Sequence, residues 1–142
     1  MIDDEWLTRY TAAWADHARA GGRDGSPYLT RLVAFMAADV VYEDVPSTAL
    51  FHGHDGVAFM ARQASALAAD LTFEITSRQT DGYRFAFETV GRGTHRGPAG
   101  AVPASERPVT LRGVSIGSVD AAGLVLVHRD YWDMAALFAQ LG

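Results

Sequence analysis

Near residue 70 the apolar residues of this chain change period. Before that point they recur every three or four positions, as on one face of a helix. After it they alternate, as on one face of a strand. In the first half, Asp4–Arg19 brings Trp6, Tyr10, Ala13, Trp14 and His17 to one side, with Asp3 or Asp4 able to cap. Gly21-Gly22-Arg23-Asp24-Gly25-Ser26-Pro27 breaks the pattern and reads as a loop. A second helix is expected over 28–38, with Leu29, Leu32, Val33, Phe35 and Met36 on its apolar face. A short strand over 40–45 stops at Pro46. After a loop ending in His52-Gly53-His54, Asp55 reads as the N-cap of a third helix carrying Val57, Phe59, Met60, Ala64 and Leu67.

The second half reads as strands over 71–76, 83–95, 109–119 and 124–131. Asp81-Gly82 and 120–123 form turns, and the Gly- and Pro-containing segment 96–106 forms a loop. Asp133 then caps a last short helix, 134–141. Helices first and antiparallel strands after give one α+β domain over residues 1–142, its helices packed on one face of a curved sheet. Such a cone leaves room for an internal pocket. On the last strand, parity puts His128, Asp130 and Trp132 on one face and Val127, Arg129 and Tyr131 on the other.

Composition removes several kinds of chemistry. The 142 residues include no cysteine, so disulfides, thiolate nucleophiles and cysteine-ligated metals are excluded. There is no lysine either, and all 12 basic residues are arginine, which excludes Schiff-base chemistry and a Walker-type phosphate loop. A net charge of −5, with arginines scattered and never in a run, argues against nucleic acid as a partner. No apolar stretch approaches the length of a membrane span. The opening Met1-Ile2-Asp3-Asp4-Glu5 is acidic, unlike a signal peptide, so a cytoplasmic location is expected.

Several local sequences resemble the SnoaL-like polyketide cyclases of the NTF2-like superfamily. They are Gly93-Thr94-His95-Arg96-Gly97, the Pro-Val-Thr strand, the Gly123 turn, and the stretch Val127-His128-Arg129-Asp130-Tyr131-Trp132-Asp133 before a Gln140-Leu141-Gly142 ending. The first half also resembles ketosteroid isomerase. Arg9-Tyr10-Thr11-Ala12-Ala13 matches the helix carrying that enzyme's oxyanion tyrosine. Val41-Tyr42-Glu43-Asp44 matches the strand carrying its base. The resemblance implies a cone-shaped barrel with the pocket inside, no cofactor, an apolar small-molecule substrate, and a homodimer.

It also implies roles. Asp130 matches the family's acid/base, and a carboxylate set among Trp132, Trp14 and phenylalanines is expected to bind its proton more tightly than usual. His128 lies beside it on the same face. Asp44 and Tyr10 are expected to reach the substrate from the other wall. Trp14, Met60, Phe87 and Trp132 are expected to line the cavity, and His95 to contact substrate. His52, His54 and Asp55 superficially suggest a metal site, but a capped helix start explains them more cheaply, and no metal is expected. Two departures from relatives bear on the reaction. The strand before the last, Val114-Ser115-Ile116-Gly117-Ser118, lacks the histidine of aldol cyclases. Arg112 is present where epoxide hydrolases carry an arginine, but Val114 stands where their aspartate belongs.

Proton transfer on an apolar polycyclic or polyketide-derived carbonyl compound is therefore the expected activity, as isomerisation, cyclisation or elimination. The alternatives are a non-catalytic NTF2-like binding or interaction domain and an epoxide hydrolase-like enzyme.

Overall fold

A computed structural model describes residues 1–20 and 26–142. Of the expected first loop, Ser26 and Pro27 are described and residues 21–25 lie outside the described residues. Helix α1 (Asp4–Arg19) begins where the Asp3 carboxylate accepts the Trp6 N–H at 2.9 Å, and α2 (Pro27–Val33) begins at a Ser26 cap with Pro27 in its first turn. Strands β1 (Met36–Asp44) and β2 (Ala49–His52) follow, then α3 (Gly53–Leu67). Strands β3 (Thr72–Thr80), β4 (Arg84–Thr94), β5 (Pro108–Val119) and β6 (Val125–Trp132) lead to α4 (Met134–Leu141), which the Asp133 carboxylate caps through the Ala136 N–H as expected.

The strands form one six-stranded sheet in the order β2-β1-β6-β5-β4-β3, antiparallel except for the β1–β6 pair. The expected α+β class is therefore present. The parallel pair joins the helical half to the strand half, because it sets the strand after α2 beside the last strand of the chain.

Four local expectations change. The second helix stops at Val33, and Met36 and Ala37 are buried in β1 instead. Periodicity reads an unbroken helix here, but the Val125 N–H bonds to the Phe35 carbonyl and Met36 stands opposite Val125, so pairing with β6 overrides helical propensity. The segment read as a loop before His52 contains β2, a four-residue edge strand too short to show alternation. The N-cap of α3 is His52, not Asp55; Asp55 lies in the first turn, where its charge still meets the helix dipole favourably. Finally, β3 continues to Thr80 past a bulge between Ile75 and Ser77. The extra residue re-phases the strand, so Arg78 stands opposite Phe87 on the inner face.

One face of the sheet carries the main core. Leu7 and Tyr10 of α1, Leu32 of α2, Val57 of α3, Val40 and Tyr42 of β1, and Phe85 and Phe87 of β4 are all buried there. Each fully buried side chain of this size contributes roughly 1.5–3 kcal/mol. A smaller cluster of Ala99, Val109, Leu137 and Leu141 packs α4 against β5, with Trp132 and Leu67 at its edge. The turn between β3 and β4 depends on Gly82, whose φ of 99° suits glycine.

Gly117 of β5 has a different role. It stands in register with Phe85 and His128, and a Cβ there would overlap the Val127 carbonyl oxygen and the Phe85 ring. The bare backbone lets the Phe85 ring lie flat on the sheet. Gly117→Ala is therefore expected to destabilise the fold by about 3 kcal/mol, an overpacking cost in a close-packed core. In thermal unfolding this should appear as a fall in Tm of roughly 10 °C.

Candidate active site

The inner face of β6 presents His128 and Asp130, as strand parity predicts, while Tyr131 is exposed on the outer face and Arg129 pairs with Glu43 there. Strand register then supplies the neighbours. Tyr42 stands opposite His128 across the parallel pair, and Asp44 stands opposite Asp130. On the other side, Ser115 of β5 stands opposite Asp130.

Three groups converge on the Asp130 carboxylate. The Ser115 hydroxyl donates to Oδ1 at 2.5 Å, His128 Nε2 lies 2.9 Å from the same oxygen, and the Tyr42 hydroxyl donates to Oδ2. Behind them, the Tyr10 hydroxyl lies 2.8 Å from His128 Nδ1. Tyr10, Tyr42 and His128 are buried, whereas 28% of the Asp130 side-chain surface is left uncovered. Asp130 is thus the one member of this network whose side chain is not fully covered.

Rings surround the imidazole. Tyr42 stacks on His128 with centroids 4.7 Å apart and planes 9° from parallel. Trp14, Phe85, Tyr10 and Phe87 complete the enclosure, with centroids between 5.2 and 6.0 Å away. In such surroundings the charged forms are penalised. Burial pushes the Asp130 carboxyl up to about 7 and the His128 imidazole down to about 3. Burial also drives the Tyr10 phenol far above the usual tyrosine range; the Trp14 indole N–H pulls it partly back and the Asp130 charge adds to the rise. That indole N–H, although it faces the phenol, makes no hydrogen bond of ordinary geometry. At neutral pH the site therefore holds a neutral histidine, a neutral phenol and a carboxyl near its own midpoint.

The other residues singled out from sequence fall into three places. Asp44 is next to the site but is engaged: the Trp132 indole N–H donates to Oδ1 at 2.6 Å and the Ser47 hydroxyl to Oδ2 at 2.5 Å. It ties the Trp132 side chain of β6 to the end of β1. Trp14 and Met60 are half-buried against the main core, and Phe87 is buried within it. His95 stands apart, buried at the end of β4, with Nδ1 facing both the hydroxyl and the backbone N–H of Ser105.

Tyr10 has no exposed surface, and its hydroxyl is engaged with His128 Nδ1. Arg112 and Val114 lie on the outer face, in register with Val90 and Glu88, so the inner positions of β5 beside Asp130 are Gly113 and Ser115. Of the suspected metal group, His54 is spent on the Met36 carbonyl at 2.9 Å, and among the described residues no cluster of three ligating side chains forms.

Sequence reasoning missed Tyr42 and Ser115. Tyr42 shares strand parity with Asp44 and so was within reach of the pattern. Ser115 becomes visible only once β5 and β6 are placed in register. Two concavities, of about 640 and 150 Å³, lie on the outer sheet face, lined by residues such as Ile116, Val127 and Arg129 in the larger and Ser77, Glu88 and Val114 in the smaller. Neither is lined by Asp130.

A family model described as SnoaL-like polyketide cyclase matches residues 7–141. No curated protein matches in sequence. Among solved structures, TsrD from Streptomyces laurentii superposes with a TM-score of 0.84 at 20% identity, over 100% of this chain and 98% of that one. IdmH from Streptomyces antibioticus, described as a candidate polyketide cyclase, gives 0.76 at 22% identity over 95% and 97%. A protein of ketosteroid isomerase-like fold from Catenulispora acidiphila, crystallised with trimethylamine, gives 0.75 at 19% over 94% and 92%. At these identities the structural likeness concerns the fold alone. The family match itself runs through α1, which carries Tyr10, and through the strand that carries His128 and Asp130, and by it the chain belongs to the SnoaL-like polyketide cyclase family.

Proposed function

We propose that the chain works as one SnoaL-like domain, a cofactor-independent acid–base enzyme. It moves a proton at a carbon beside the carbonyl of an apolar, polycyclic or polyketide-derived compound. One observation carries this reading: a carboxyl held by three donors, on a side chain that is not fully covered, and raised by burial to about 7. A general acid or base works best when its proton affinity matches the operating pH. As base, the Asp130 carboxylate takes the carbon-bound proton and the electron pair moves onto the carbonyl oxygen. The resulting carboxylic acid returns the proton to another carbon of the enolate, which gives isomerisation; where the enolate instead closes a ring or expels a leaving group, the acid gives its proton to the new alkoxide or to that leaving group. Trp14, Met60 and Trp132 supply apolar walls, and Asp44 holds Trp132 in place.

Non-catalytic ligand binding is the second reading. The observation favouring it is how completely rings fill the interior around His128. The two readings separate on Asp130→Asn. In the enzyme this variant should fold and lose roughly a hundredfold or more in turnover, the usual worth of a positioned acid or base. His128→Gln should lose less, and Asp133→Asn should stay close to wild type because asparagine caps a helix about as well as aspartate. If proton abstraction limits the rate, kcat/KM should rise with pH through about 7 and then level, as the Asp130 carboxylate forms. His128 should add no limb near neutrality, being already unprotonated there. An Asp130→Asn variant with full turnover would remove the acid–base reading.

We also propose a homodimer through the outer sheet face. Val114 and Tyr131 are exposed there beside the concavity lined by Ile116 and Val127, and a second copy would cover this apolar surface. Sedimentation velocity at micromolar concentration should show a dimer that Tyr131→Glu weakens; a wild-type monomer would contradict the arrangement.

A further inference from the structure

Tyr10 is fully buried, yet its hydroxyl is tied into the network that ends at Asp130. The direction of each bond follows from what the groups can donate. An ionised carboxylate only accepts, so the single proton of a neutral His128 sits on Nε2 and points at Asp130 Oδ1, 2.9 Å away. That leaves a lone pair on Nδ1, and the Tyr10 hydroxyl 2.8 Å away must donate to it. Oδ1 also accepts the Ser115 hydroxyl at 2.5 Å, so two donors occupy it, whereas Oδ2 accepts only the Tyr42 hydroxyl. One lone pair remains, and it is on Oδ2.

We propose that Tyr10 and His128 form a positioning pair that locks the Nε2–H tautomer onto Oδ1 and so leaves Oδ2 as the oxygen that carries the proton. This deepens the acid–base reading of Asp130 and rests on it. In the base step Oδ2 gains the proton from carbon, the C–H electron pair goes to the substrate carbonyl, and both bonds at Oδ1 persist. No tautomer change is needed in either direction, so the pair stays fixed through the reaction. Tyr10 is then neither an oxyanion donor nor a proton carrier. It acts on Asp130 only through the imidazole.

The consequence of removing its hydroxyl follows. In Tyr10→Phe, Nδ1 is left without a donor inside the ring enclosure, and the imidazole can adopt the Nδ1–H form. Nε2 would then present a lone pair to Oδ1, an arrangement that favours a protonated Asp130. The groups facing Asp130 from other elements are Tyr42 and Asp44 of β1 and the uncharged Ser115 of β5, while α3 turns Val57 and Ala61 inward. None of these is altered by the substitution.

The test needs no substrate. Histidine ¹⁵N and aspartate side-chain ¹³C resonances would be followed by NMR across the pH range in wild type, Tyr10→Phe, His128→Gln and the double variant. Wild-type His128 should remain a single Nε2–H tautomer through neutrality. Tyr10→Phe should populate the other tautomer and raise the Asp130 midpoint by roughly half a pH unit or more. On the His128→Gln background, Tyr10→Phe should leave that midpoint where it is. An Asp130 midpoint unmoved by Tyr10→Phe, or moved equally without His128, would overturn the proposal. Should Tyr10→Phe fail to fold, an Nδ1–H tautomer in the wild-type protein would overturn it alone. These outcomes are separate from turnover: a fully active Asp130→Asn variant would refute the acid–base reading whatever the tautomer.

Discussion

The constraint on which the structure turns is the enclosure of one imidazole. His128 lies where α1, β1, β4 and β6 meet, stacked on Tyr42 and ringed by Trp14, Tyr10, Phe85 and Phe87. Each imidazole nitrogen left unmet in that setting would cost about 1–3 kcal/mol. Tyr10 from the first helix satisfies one and Asp130 from the last strand satisfies the other. The two ends of the chain are therefore fastened through the same side chain. The bare backbone at Gly117, opposite His128, lets the Phe85 ring close over it.

The same enclosure sets the proton affinities of both groups. Burial makes the imidazole a poor base and the carboxyl a weak acid, so the pair is closer to neutral than to an ion pair at neutral pH. Donors on the ionised carboxylate work in the opposite sense, so a proton can leave without leaving an unsupported charge. Of the Asp130 side-chain surface, 28% is left uncovered. Asp44, opposite Asp130 in the sheet, holds the Trp132 indole.

The sequence exposed much of this and hid a definite part. The period change near residue 70 reported the α+β architecture, and parity on β6 put His128 and Asp130 on the inner face. Both follow from side-chain direction, which is local. What was hidden depends on pairing between distant segments. Met36 and Ala37 read as helix because the strand they join pairs with β6, Met36 opposite Val125, far along the chain. Ser115 carries no motif and becomes part of the site only through register with Asp130. Tyr10 matched a catalytic helix in its resemblance to ketosteroid isomerase, and here its hydroxyl lies against His128 Nδ1. Residue type alone could not show that its hydroxyl is already spent.

Asp130 keeps its proton to near neutrality in the folded chain, and the pH dependence of stability tests this without a substrate. The folded carboxyl titrates at about 7 against 3.8 for an unperturbed aspartate. Its contribution to stability is therefore fully present below the unfolded value and is lost as pH rises through the folded one. Asparagine does not titrate. In urea unfolding, wild type should lose stability relative to Asp130→Asn as pH rises from about 5 to about 8, by about 2 kcal/mol. A difference that stays constant over that range, or that moves in favour of wild type, would contradict the account.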